Sequence, residues 1–274
     1  MALSVATNIG ALAASKAASS VNSTMETSMA RLSSGKRINS AADDSAGLAI
    51  ASRLTSEARG LDMASRNAAD AQAMINTIES SHSEIHNILQ RMRELAVQGA
   101  NDTNGTDDRT NIRKELTELH EEIDAIKNQT KWAGQTLISG ASTFKFQIGD
   151  EADETLTVTT TAIASSSLSV GSTTVASLTS NASFTAFITT VNNAISSIAN
   201  YRAEYGANSN RLDHVMANLA TNSESVKASL GRIEDTDYAA ETTDLAKSQI
   251  LQQAATSMLA QANASKQTIL SLLQ

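Results

Sequence analysis

Apolar residues along the first half of the chain fall at alternating steps of three and four. Leu61, Ala64, Ala68, Ala71, Ile75, Ile78, Ile85, Leu89, Met92 and Ala96 keep this spacing, with His82 standing in line at the position between Ile78 and Ile85. The pattern predicts one helix from about Leu61 to Gly99, roughly 55–60 Å long at 1.5 Å per residue. The stretch GANDTNGTDD then supplies the Gly, Asn and Asp that turns require. Thr106 is placed to cap a second helix whose first turn carries Asp107 and Asp108 near its positive end. Ile112, Leu116, Leu119, Ile123 and Ile126 continue the same seam, and so short a turn predicts an antiparallel pair.

After Trp132 the period changes to two. Phe144, Phe146 and Ile148 alternate with polar residues, as do Leu156 and Val158, around the turn-forming GDEADE, which predicts a β-hairpin. From about Thr159 to Ser183 the chain is rich in Ser and Thr and low in complexity, with no second large core, and reads as a reduced surface module. Helical spacing resumes through Ile188, Val191, Ile195, Ile198, Arg202, Tyr205, Ser209, Leu212, Met216, Leu219, Ser223, Val226, Leu230 and Ile233, a second rod to match the first.

Both ends carry weaker stripes. Ala14, Ala18, Val21, Met25, Ser28 and Leu32 mark one seam; Leu251, Ala255, Met258, Ala262, Ser265, Ile269 and Leu272 mark the other. Small residues at these positions allow close helix approach but bury little area, so each end alone offsets its ordering entropy poorly. The ends are therefore expected to pair with each other, or among copies. The fold class is mainly α: long antiparallel coiled-coil or bundle rods, a small β-hairpin region, and terminal helices paired as a coiled coil.

Composition supports long, thin helices. The 274 residues include no proline, where average usage would supply roughly 14, so the commonest helix breaker is missing. Aromatic residues make up only 3%, too few for the bulky anchors of a thick core. A formal net charge of −8 and no basic stripe argue against nucleic acid. With no cysteine, disulfides and thiolate chemistry are excluded. The opening residues have no Lys or Arg before Lys16 and only small apolar side chains, unlike a cleaved secretory signal. No run reaches the ~18–20 apolar residues of a membrane span.

Candidate chemistry is sparse. His82 and His86 stand i, i+4 on a helix, a spacing that can present two imidazoles to one metal. In HSEIH, however, Glu84 is one place late for the zinc-protease pattern and no third ligand is evident, so an interfacial histidine pair is favoured. Aligning Gly105 with the sixth position of a calcium loop puts Ala100 first and Asn111 last, where acidic ligands belong, so NDTNGTDD reads as a turn. The glycosylation sequons at Asn101 and Asn104 are short, weak patterns. There is no G-x-S-x-G and no Gly-rich phosphate loop, and nothing points to catalysis, a metal or a cofactor.

Three blocks carry a resemblance. ARLSSGKRINSAADDSAGLAIASRL (30–54), LQRMRELAVQGAN (89–101) and RIEDTDYAAETTDLAKSQILQQAATSMLAQAN (232–263) resemble the signature segments of bacterial flagellin, in the order and at the chain ends where that family carries them. The resemblance covers roughly residues 1–140 and 185–274. It implies a structural subunit that polymerises into the flagellar filament, an extracellular propeller, after export unfolded through the flagellar type III channel without a cleaved signal peptide. It divides the chain into a terminal filament-core domain, residues 1–43 with 234–274, and a rod domain, residues 44–233, with an outer segment at about 140–185. The partners it implies are further copies of the chain, an export chaperone, filament cap and junction proteins, and the vertebrate innate receptor TLR5. Two departures are a very short middle and a C-terminus, NASKQTILSLLQ, without the proline often found there. A junction protein between hook and filament, or a secreted helical adaptor, are the alternatives.

Beside the seam of the first rod runs a mixed strip, Glu84, Ile88, Arg91, Leu95 and Gln98. From spacing alone it is the neighbour-facing side of a three- or four-helix bundle. The resemblance implies that Arg91, Leu95 and Glu115 belong to a face used for subunit docking and receptor contact.

Overall fold

A computed structural model describes residues 7–271, with side-chain surroundings through residue 265. In chain order the elements are α1 (Ile9–Ser34), α2 (Ser45–Gly99), α3 (Thr106–Gln129), β1 (Lys131–Trp132), β2 (Gln135–Thr136), β3 (Ser142–Gln147), β4 (Thr155–Thr160), α4 (Ser172–Ala176), α5 (Asn181–Glu234) and α6 (Tyr238–Ser271). The chain divides into two compact units, one drawn from residues 1–58 and 225–274, the other from residues 59–224.

In the first unit α1 and α6 pair antiparallel. Asn8 begins the pairing twice over: its Oδ1 accepts from the Ala11 N–H at 3.1 Å, capping α1, and its Nδ2 donates to the Ala262 carbonyl at 3.2 Å. Further along, Gln252 Nε2 donates to Asn22 Oδ1 at 2.7 Å and Tyr238 Oη donates to the Leu32 carbonyl at 3.3 Å. The half-buried line of α1 runs through Ala14, Ala18, Val21, Met25 and Leu32 and includes buried Ser28, the seam its spacing predicts.

Two helix breaks without proline lie side by side in this unit. Gly35 closes α1 in the left-handed conformation, φ 73°, its N–H donating to the Arg31 carbonyl at 2.8 Å. The next residues pair with the break between α5 and α6: Arg37 N–H donates to the Glu234 carbonyl at 2.6 Å, Thr236 N–H to the Gly35 carbonyl at 3.0 Å, and Lys36 Nζ lies 2.6 Å from Glu234 Oε1. Asp43 then accepts from the backbone N–H groups of Ser40 and Asn39 and from the Ser40 hydroxyl, bonds that hold its carboxyl below the usual range. Helix α2 starts at Ser45, earlier than its apolar spacing indicates, because Asp44 Oδ1 accepts the Gly47 N–H at 2.8 Å and caps a first turn of small residues.

The second unit holds the main core. Every position of the predicted α2 seam from Leu61 to Ala96 is buried, His82 included. Met74, Ile88 and Leu95 are buried as well, so α2 carries apolar side chains on two faces. Ile112, Leu116 and Ile123 of α3 and Phe184, Phe187, Val191, Ile198, Tyr205 and Leu212 of α5 complete the helical part. Gly99 admits the Phe184 ring: a Cβ built there would stand 2.5 Å from Phe184 Cε1. At the start of α3 the cap is Gly105, not Thr106; the Gly105 N–H donates to Asp108 Oδ2 at 3.0 Å.

The hairpin β3–β4 pairs Phe144 with Val158 and Phe146 with Leu156, and the alternate positions of β4 are buried. A smaller hairpin, β1–β2, turns through Ala133 (φ 47°) and Gly134 (φ 83°), the two successive left-handed residues that such turns require. The Ser/Thr-rich segment does more than cover the surface. Ile163, Val170, Val175 and Leu178 are buried in the same core as the helices, and Ser165 donates through its backbone N–H (3.2 Å) and Oγ (2.8 Å) to Asp124 of α3. Burial pushes the Asp124 carboxyl up, but these two bonds and Lys127 outweigh it and hold the group low.

Candidate interaction faces

Helix α6 has two stripes where its spacing indicates one. The line turned to α1 runs Glu241, Leu245, Ser248, Gln252, Ala255, Leu259 and Ala262, all buried or half-buried. Of the predicted seam, Ala255 and Ala262 lie on this line. Leu251 and Met258 sit one residue off it and are 45% and 64% exposed. Polar satisfaction sets this rotation. Glu241 lies 3.7 Å from Arg31 and Gln252 is held by Asn22, whereas turning Leu251 inward would leave those groups without partners. The side chain of Ile269 and all of Leu272 lie outside the described residues.

Other large apolar side chains on the paired helices, Ile9, Leu12 and Ile250, are exposed as well, and a groove of about 450 Å³ is lined by Gly10, Ala13, Ala14, Ala17, Ala255 and Met258. Nearly all of its lining is apolar, which suits a helix better than a polar ligand.

On α2 the structure separates the three residues of the other predicted face. Arg91 Nε and Nη2 both donate to Glu115 Oε1 at 3.0 and 2.8 Å, and Nη1 donates to Glu94 Oε2 at 3.1 Å. These bonds to Glu115 first, then Glu94, raise the guanidinium's already high pKa. Both side chains of the Arg91–Glu115 pair are about half exposed, at 50% and 46%. Leu95 is not beside them on the surface; it is 2% exposed and belongs to the core. Ile88 is buried likewise, so the mixed strip alternates between surface (Glu84, Arg91, Gln98) and core. The mixture marks the edge between two packed faces.

The histidine pair does not converge. His86 Nε2 is 2.9 Å from Gln90 Nε2, while His82 is buried and stacked on Tyr205, ring centroids 5.3 Å apart. Among the described residues no three His, Asp or Glu side chains gather to hold a metal. A half-open cleft of about 530 Å³ lies beside the β3–β4 turn, with exposed Asp150, Asp153 and Glu154 across from Arg211 and His214 of α5. Spacing along the rods gives no hint of this cleft, because the hairpin turn forms one wall.

With these faces in place, the likeness to known proteins is specific. Residues 5–143 match the family model of the bacterial flagellin N-terminal helical region, and residues 188–273 match that of the C-terminal helical region. The chain belongs to the bacterial flagellin family. It is 39% identical to the flagellin of Halalkalibacterium halodurans over 90% of each chain. It is 35% identical to the flagellar filament 33 kDa core protein of Treponema phagedenis, over 97% of this chain and 98% of that one. The crystal structure of Bacillus cereus flagellin superposes with a TM-score of 0.50 at 35% identity, covering 56% of this chain and 88% of that one. The flagellin match spans both the α1–α6 pair and the helices of the second unit. Among the described residues no helix is long and apolar enough to cross a membrane.

Proposed function

We propose that this flagellin is a structural subunit which polymerises through its paired terminal helices into an extracellular flagellar filament, and that it is not an enzyme. The observation that carries the reading is the set of exposed large apolar side chains Ile9, Leu12, Ile250, Leu251 and Met258, the last lining an apolar groove, on a helix pair whose own interface mixes small and polar residues with a few larger apolar ones. Such a pair buries too little by itself and gains a core when copies associate. Family membership supplies the occupant: further copies of the same chain. Export chaperone, cap and junction proteins belong to this reading as partners, and the exposed Arg91–Glu115 pair is the part of the α2–α3 surface available to a neighbour or to TLR5.

The test is assembly of purified full-length chain followed by electron microscopy, with Met258→Glu beside it. Long filaments from the parent chain, and a helical but non-polymerising variant, are expected. Short objects that never elongate would favour the junction-protein alternative. Normal filament growth by the variant would remove these side chains from the mechanism.

A further inference from the structure

We propose that His82 is a proton-triggered latch in the second unit: its neutral ring completes the seam between α2 and α5, and a proton taken up there loosens that seam. The ring occupies a seam position between Ile78 and Ile85, where every other predicted position along α2 is apolar. It is 0% exposed, and neither Nδ1 nor Nε2 has a hydrogen-bond partner. An imidazolium needs two acceptors for its two N–H groups, and neither ring nitrogen has one here. On one side it stacks on Tyr205, with the rings inclined by only 16°, and Tyr201 stands 6.4 Å away. A neutral ring leaves one donor and one acceptor nitrogen unpaired, a smaller cost than that of a buried unpaired cation.

The charged surroundings point the same way. From α5, Arg202 faces the ring with its own positive charge, and Tyr205 is held neutral by burial, its hydroxyl accepting the Thr161 N–H at 3.3 Å. On α2 itself, Glu79 is the carboxylate one turn away, but Arg202 Nε and Nη2 already hold its Oε1 at 2.8 and 2.7 Å. His86, one turn the other way, is bonded to Gln90. Toward α3, Ser81, the neighbour of His82 in the chain, meets Thr130 at the end of that helix, hydroxyl to hydroxyl at 2.9 Å, and Asp124, the last carboxylate of that helix, is engaged by Ser165 and Lys127. Asp124 is thus engaged through both oxygens and Glu79 through Oε1, while Glu79 Oε2 is buried and makes no bond to the ring. Burial first, and Arg202 second, push the imidazole down to about 4 from an ordinary 6.5.

The sign of the effect follows from proton counting. Between about pH 6.5 and 4 the unfolded chain holds a proton at this residue that the folded chain refuses, so stability is intact above that window and is lost as pH falls through it. The loss is tenfold in the folding equilibrium constant per pH unit from this one group. The loss of stability therefore begins near pH 6.5, above the range in which ordinary carboxylates protonate. It concerns the rod unit alone and does not depend on how copies assemble.

The test is denaturant unfolding of the full chain across this window, comparing the parent with His82→Phe, which keeps a stacking ring but cannot titrate. His82→Phe should lose one proton from the pH dependence. Nitrogen chemical shifts of the His82 ring in the unaltered chain give a second reading should His82→Phe fold poorly. A ring that stays neutral below pH 6 supports the latch. A ring titrating near 6.5, or a His82→Phe slope equal to the parent's, would overturn it.

Discussion

At the scale of single residues, the position of a side chain relative to a helix's second face decides its role. Leu95 and Arg91 are neighbours on one strip of sequence, yet one lies in the core and the other on the surface. Leu95→Ala should therefore destabilise the isolated monomer by about 2–5 kcal/mol, the range of buried leucine truncations. Arg91→Ala removes exposed ion pairs and should cost the monomer far less than the leucine truncation. Denaturant unfolding of the two variants measures the contrast directly. Equal, small losses would show that Leu95 is not a core residue, and would restore it to the contact face with Arg91 and Glu115.

The elements of the middle region show why a polar sequence need not be a loose loop. Strand β4 and the segment after it alternate between hydroxyls that face solvent and hydroxyls used inside. Thr155, Thr157 and Thr159 are exposed, whereas Thr160 bonds to Ser142 across the hairpin and Ser165 bonds to Asp124. If the filament carries O-linked sugar in this region, the first group are the acceptors and the second are not. Peptide mapping of native filament checks this assignment. Sugar on Thr160 or Ser165 would require the hairpin and its loop to open. Ser165→Ala offers a separate measurement: it removes the Oγ bond to a carboxylate, a loss of about 1.5–3 kcal/mol for a charge-assisted bond.

For the whole molecule, assembly and folding are assigned to different parts of the chain. Deleting residues 255–274 removes much of α6, including Ala255, Met258 and Ala262, and leaves residues 59–224 with all the core contacts described for the second unit. The expected outcome is a chain whose second unit retains cooperative unfolding but which forms no filament where the full chain does. Hydrogen exchange on the truncated and full-length monomers tests the first half, and electron microscopy the second. Loss of protection in α2 near Ile85 and Leu89 would mean that the terminal helices support the second unit's core.

The amino-acid order by itself determined the period of the long helices and of the β3–β4 hairpin, though not the short β1–β2 pair or α4. The α2 seam, the α1 seam and the facing pairs of the β3–β4 hairpin follow from spacing, because one helix face or one strand face is buried and a shift by one residue would expose it. The family blocks at both ends were equally legible. What only the tertiary structure decided are the choices among several compatible faces. Helix α6 is weakly amphipathic and apolar on two sides, so its rotation rests on Glu241 and Gln252 finding Arg31 and Asn22, residues more than two hundred positions away. Whether Leu95 is core or surface depends on α2 being packed on two sides. Ser165, Ile163 and Val170 lie in a polar stretch with no period, and nothing short of the fold brings them to Asp124 and the helical core. Spacing reports how often a chain turns an apolar side to a neighbour; which neighbour it meets is settled by polar groups that must find partners at long range.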